Sequence, residues 1–146
     1  AGSGSLALEA LSRGARYALF VERNRASAAV IRRNLDSLGI ITEANVIEAD
    51  ASRLDFPTPP SGGDHNPAYE LVFLDPPYRM LESAVPDGPF RELLRRLSEH
   101  AAIAASARFI VRHERAEAGA EPDLAPLIEE TRRDVGTMTL RILRRP

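Results

Sequence analysis

Leu71-Val72-Phe73-Leu74-Asp75-Pro76-Pro77-Tyr78 is an apolar run that stops at an acid, two prolines and an aromatic ring. The run predicts a buried strand. The prolines fix φ and cannot continue the pairing, so a rigid turn follows at the strand's C-terminal end. A carboxylate, a proline-held carbonyl and a flat ring in one turn form a cup for a planar, amine-bearing substrate. The other reading of the same four residues is a proline-rich turn with Tyr78 packed on the surface.

Working outward, this strand is one of several that alternate with helices. Ser5 to Arg13 reads as a short helix carrying Leu6, Leu8, Ala10 and Leu11, stopped by Gly14. Tyr17 to Glu22 reads as a buried strand. Arg25 to Leu38 reads as a helix whose apolar face is Ala28, Ile31, Leu35 and Leu38, closed by Gly39. Ala44 to Ala49 is a third strand. Ser52 to Ala68 is a loop rich in proline and glycine, long for a compact domain. Beyond the Asp-Pro-Pro-Tyr turn, Pro89 to His100 reads as a helix, Arg108 to His113 as a strand and Asp123 to Glu130 as a short helix. Thr131 to Val135 and Met138 to Leu143, joined by Gly136-Thr137, read as an antiparallel hairpin. Alternation of strand and helix implies an α/β fold with a mostly parallel sheet. The terminal hairpin separates a methyltransferase-like variant from the ordinary dinucleotide-binding one.

The chain has 146 residues, of which 44% are hydrophobic, so it can bury a core. We expect a single domain over residues 1–146, with no internal repeat. No run is long enough to span a bilayer, so no membrane partner is expected. The absence of cysteine excludes a thiolate nucleophile, a cysteine-bound metal and a disulfide framework. All 19 basic residues are arginine, so no lysine can serve as base or Schiff-base former. The net charge of −2 gives no global attraction to nucleic acid, and contact with RNA or DNA must use local arginines. His65, His100 and His113 are scattered without ligand spacing, so no metal is expected. Ser3 and Ser5 lack an associated histidine, which excludes a serine hydrolase.

Gly2, Ser3 and Gly4 precede the first helix, where glycines permit a sharp turn and close approach of a ligand. Taken alone, Gly-x-Gly also suits an ordinary loop. Glu22 ends the next strand 18 residues after Gly4, where an acid can accept both hydroxyls of a ribose. A solvated strand end is its other reading. Asp50 ends the third strand likewise, beside Ala51, and could accept from an adenine amine or cap a turn. The turn has neither the third glycine of dinucleotide spacing nor the Lys-Ser/Thr of a P-loop.

An exocyclic amine is a poor nucleophile because its lone pair is delocalised into the ring. Acceptors for both its N–H groups favour a pyramidal nitrogen with a localised pair. Asp75 and the carbonyl of Pro76 could be those acceptors, with Tyr78 stacked on an extruded base. The methyl donor would be a sulfonium. Arg79, next to Tyr78, could meet a phosphate, as could Arg23 and Arg25.

The segments Ala1-Gly-Ser-Gly-Ser-Leu-Ala-Leu-Glu-Ala-Leu-Ser-Arg-Gly-Ala15, Val21-Glu-Arg-Asn-Arg25, Arg32-Arg-Asn-Leu35 and Phe73-Leu-Asp-Pro-Pro-Tyr78 closely resemble the RsmD family. The resemblance runs from residue 1 to about residue 145. It implies a bacterial, cytoplasmic, S-adenosylmethionine-dependent methyltransferase with a Rossmann-like sheet, acting on guanine N2 of small-subunit ribosomal RNA. Gly2, Ser3 and Gly4 would line the methionine end of the cofactor. Glu22 would bind the ribose and Asp50 the adenine, with Arg23 and Ala51 also at the cofactor. Asp75, Pro76, Pro77 and Tyr78 would hold the guanine. The partner would be ribosomal RNA or the small-subunit particle, met by a monomer. The family's acidic strand before the glycine turn and its basic N-terminal segment have no counterpart here, so an N-terminally truncated domain is expected. Ala7 stands where the family usually has glycine. A DNA or RNA adenine-N6 methyltransferase and a non-catalytic RNA-binding assembly module are the alternatives.

Overall fold

The alternation read from the sequence is realised in a computed structural model that describes residues 1–61, 67–76, 81, 88–115 and 121–146. The described chain forms two compact units, Ala1–His65 and Asn66–Pro146.

The first unit runs α1 (Ser5–Ser12), β1 (Ala18–Val21), α2 (Arg25–Ser37) and β2 (Ala44–Ile47). β1 and β2 pair in parallel, from Ala18 opposite Ala44 to Val21 opposite Ile47. Asn24 starts α2 by accepting the Ser27 N–H at 3.0 Å on its side-chain oxygen. Ala28, Ile31 and Leu35 are buried at helical spacing, as the periodicity predicts. Phe20 and Ala18 of β1 meet Ile31 and Leu35 in a small core, with Leu8, Leu11 and Val46 packed against it. Burying each large apolar side chain there contributes roughly 1.5–3 kcal/mol. The expected fourth member of the α2 stripe is not buried: Leu38 is 63% exposed. It follows the last helical residue, where Gly39 at φ +68° turns the chain away from the face.

The second unit runs β3 (Tyr69–Leu74), α3 (Pro89–Glu99), β4 (Ile103–Glu114), β5 (Ile128–Val135) and β6 (Met138–Arg144). Its four strands lie in the order β3-β4-β6-β5. β3 is parallel to β4, and β6 is antiparallel to both β4 and β5, which gives the expected terminal hairpin on a parallel pair. α3 starts with Pro89 after Gly88 and buries Phe90, Leu93, Leu94 and Leu97 at steps of 3, 1 and 3. β4 is longer than the expected strand and alternates strictly over its second half. Ala107, Phe109, Val111 and His113 are buried, while Arg108, Ile110 and Arg112 are half-buried. Leu143 of β6, opposite Phe109, is 1% exposed and joins the same core.

Two sequence expectations are corrected here. β3 is not the fully buried strand expected, since Leu71 is 49% exposed. Residues Asp123 to Glu130 form no helix. The Asp123 side chain instead accepts the Ala125 N–H at 2.9 Å, and Leu127 N–H closes a turn on the Leu124 carbonyl at 3.1 Å. Pro126 has no N–H for a helical ladder and disfavours helix at Ala125. Residues from Ile128 onward are taken by pairing with β6. All eight residues of β5, at the end of the sheet, are exposed.

Candidate functional site

The candidate residues fall in both units, and each group is built by local constraints. In the first unit the glycine turn leads into α1. The Gly4 amide donates to the Ala1 carbonyl at 2.9 Å, and the Gly4 carbonyl accepts the first helical bond from Leu8 at 3.0 Å. Gly4 has φ +81°, and an added Cβ would lie 2.9 Å from Phe20 Cε1. Both the backbone and the space therefore demand glycine. Gly2 has φ +56° but open space around its missing Cβ, with nothing within 4 Å. A ligand can come close to the backbone on that side.

Glu22 continues the β1–β2 ladder by one step: its amide donates to Ile47 O at 3.0 Å, and its carbonyl accepts from Ala49 at 3.2 Å. Its side chain returns to the glycine turn, 20 residues earlier in the chain. Glu22 Oε2 accepts the Gly2 N–H at 3.1 Å. Oε1 accepts the Asn24 N–H at 2.8 Å. The Gly2 and Asn24 N–H groups favour the charged form of the Glu22 carboxyl. The predicted pair of glycine turn and strand-end acid is thus brought together.

The strand expected to run to Ala49 ends at Ile47, so Asp50 stands three residues beyond β2, as a turn aspartate. Oδ1 accepts the Ser52 hydroxyl at 2.7 Å and the Ser52 N–H at 2.9 Å. Those bonds lower its carboxyl below the usual range, and Arg23 and Arg53 add to the effect. Oδ2 has no hydrogen-bond partner among the described residues. Arg23 acts on Asp50 because parallel pairing brings the carboxyl ends of β1 and β2 side by side. Ala51 is half-buried in the same turn.

Sequence reading missed Asn34, whose Nδ2 donates to the Ser3 carbonyl at 3.0 Å and ties the glycine turn to α2. The signal was available: Asn34 is a polar residue beside the Ile31–Leu35 stripe, inside one of the segments that carry the family resemblance.

In the second unit, Asp75 and Pro76 follow the last residue of β3, Leu74. Asp75 is joined to Arg112 of β4, a residue the sequence did not single out. Nε donates to Oδ1 at 3.1 Å and Nη2 to Oδ2 at 2.6 Å. The Asp75 carboxylate raises the Arg112 guanidinium above its ordinary value. Leu74 pairs with Val111, so Asp75 and Arg112 occupy the next rung. Pro77, Tyr78 and Arg79 lie outside the described residues. No group of three or more potential metal ligands occurs among the described residues, and no described helix is long and apolar enough to cross a membrane.

Comparison with known proteins gives concordant matches. The family model described as Conserved hypothetical protein 95 matches residues 1–144. The chain is 43% identical over 79 residues to "Ribosomal RNA small subunit methyltransferase D" of Haemophilus influenzae, covering 53% of this chain and 38% of that protein. It is 35% identical over 79 residues to "Putative rRNA methyltransferase YlbH" of Bacillus subtilis, covering 54% of this chain and 41% of that one. These matches therefore span about two fifths of the relatives' own length. Among solved structures, "Putative methyltransferase yhhF from Escherichia coli" aligns with a TM-score of 0.73 and 28% identity, covering 99% of this chain and 73% of that one. The expected Rossmann-like α/β architecture is the one found.

Proposed function

Because the chain belongs to the family described as Conserved hypothetical protein 95, the RsmD family its motifs resemble, we propose that it is an S-adenosylmethionine-dependent methyltransferase. Its target on this reading is the exocyclic N2 of a guanine in small-subunit ribosomal RNA. The observation that carries the reading is Asp75-Pro76 at the C-terminal end of a parallel strand in a methyltransferase fold. Ligands of open α/β sheets bind beyond those strand ends.

The residues of the first unit suit the cofactor. An open backbone at Gly2 beside a carboxylate held by N–H donors is a fit for a sulfonium-bearing nucleoside with a ribose diol. Gly2, Ser3 and Gly4 would line its methionine end, Glu22 and Arg23 its ribose, and Asp50 and Ala51 its adenine. Bound there, S-adenosylmethionine supplies an electrophilic methyl group. The chain's own work is to hold the amine. Asp75 and the Pro76 carbonyl accept its two N–H groups, localise the nitrogen lone pair and fix its line of approach. Such alignment is worth up to about 7–11 kcal/mol of barrier. Pro77 stiffens the turn, Tyr78 stacks on the base and Arg79 meets the RNA backbone. The partner is ribosomal RNA or the small-subunit particle, with a cytoplasmic monomer of one methyltransferase domain as the working form.

The test is methyl transfer by the intact protein from labelled S-adenosylmethionine to 16S ribosomal RNA, small-subunit particles and DNA, followed by nucleoside analysis. N2-methylguanosine in ribosomal RNA is the expected product. Label in DNA adenine alone would overturn the choice of substrate. Cofactor binding without transfer to any of the three would favour a binding module.

A further inference from the structure

The two-point bond between Arg112 and Asp75 is not accounted for by stability. The side chains are 40% and 42% exposed, and ion pairs that exposed contribute little to folding. The geometry accounts for it better. An aspartate carboxylate rotates in a broad torsional well, so one standing alone at a strand end sweeps through many planes. The planar fork of an arginine selects one plane. Each oxygen keeps a second lone pair after the fork has taken the first.

The sheet supplies the rest of the placement. Phe73 and Ile110 are partners in the parallel register, two positions before Asp75 and Arg112. The pair therefore continues the same face of the sheet. Arg108, the preceding arginine on that face of β4, is held by Glu130 at 2.6 Å. Arg112 is thus the cation committed to the strand-end acid, and the register holds it there.

On the reading of Asp75 as acceptor for the target amine, we propose that Arg112 is a positioning residue. It fixes the carboxylate plane so that a remaining lone pair meets the incoming N–H, and its charge keeps that acceptor balanced as the base displaces water.

The experiment is a double-mutant cycle in the intact protein with Arg112→Gln, Asp75→Asn and the combination, plus Arg112→Lys. It uses labelled transfer to ribosomal RNA and, separately, RNA affinity by fluorescence anisotropy. Arg112→Gln should slow transfer about ten- to a hundred-fold at saturating cofactor, with cofactor affinity unchanged. Arg112→Lys should recover part of this, because lysine restores charge but not the fork. Asparagine keeps one oxygen acceptor, so residual activity remains measurable. In the Asp75→Asn background, Arg112→Gln should change rate and RNA affinity by less than about threefold. The thermal midpoint should move by no more than about 3 °C. Equal losses in both backgrounds, or no loss in either, would overturn the assignment. If the unsubstituted protein methylates no RNA substrate, the functional reading falls, and this inference with it.

Discussion

The side-chain amide of Asn34 donates to the Ser3 carbonyl at 3.0 Å, so the second helix holds the glycine turn that precedes the first. One hydrogen bond of this kind is worth about 0.5–1.5 kcal/mol. Asn34→Ala should weaken S-adenosylhomocysteine binding about 3–10-fold by calorimetry. Asn34→Asp should weaken it further, because an acceptor would then face the carbonyl.

The two glycines of the turn should respond differently to alanine. Gly4→Ala puts a methyl 2.9 Å from Phe20 Cε1 at φ +81°. Strain and overpacking together predict a loss of about 2–4 kcal/mol in urea unfolding. Gly2→Ala carries only the strain, since nothing lies within 4 Å, and should cost about 1–2 kcal/mol. Phe20→Leu combined with Gly4→Ala should return part of the loss.

Ser52 holds the Asp50 carboxyl below the ordinary value of 3.8 by donating through hydroxyl and amide. A carboxyl lowered by folding adds stability that is present above its unfolded pKa and lost as pH falls through its folded one. Ser52→Ala removes the larger donor and should raise the Asp50 midpoint in an NMR titration. Acid unfolding should then be less steep below about pH 4.

Leu143 is 1% exposed in the sheet core, whereas Ile41 is 81% exposed. Leu143→Ala should cost about 2–5 kcal/mol in denaturant unfolding. Ile41→Ala should stay within about 0.5 kcal/mol.

Local patterns were legible where one element decided its own fate. The stripe of Ala28, Ile31 and Leu35 and the turn at Gly136-Thr137 needed only helical period and hairpin chemistry. Leu38 misled because its spacing continues the stripe after the helix has ended. The stretch from Asp123 misled because an aspartate that opens a turn gives the same signal as one that opens a helix. In the candidate site, the glycine turn and Glu22 were readable as a recurring spacing, and the structure joins them. Arg112 was not readable. Its place beside Asp75 depends on the register of two strands whose partners lie 37 residues apart. Asn34 stood out as a polar residue beside the apolar stripe, but its partner, a turn 31 residues earlier, was set by the fold alone.

The outermost ribbon of the sheet, Ile128 to Val135, carries Glu129, Glu130, Arg132, Arg133 and Asp134 with every residue open to water. A sister molecule that tried to zip onto that margin would have to strip hydration from charge after charge before gaining each backbone bond. The row of charges therefore works as a fence, which lets the margin stay bare at high concentration without growing into a fibre.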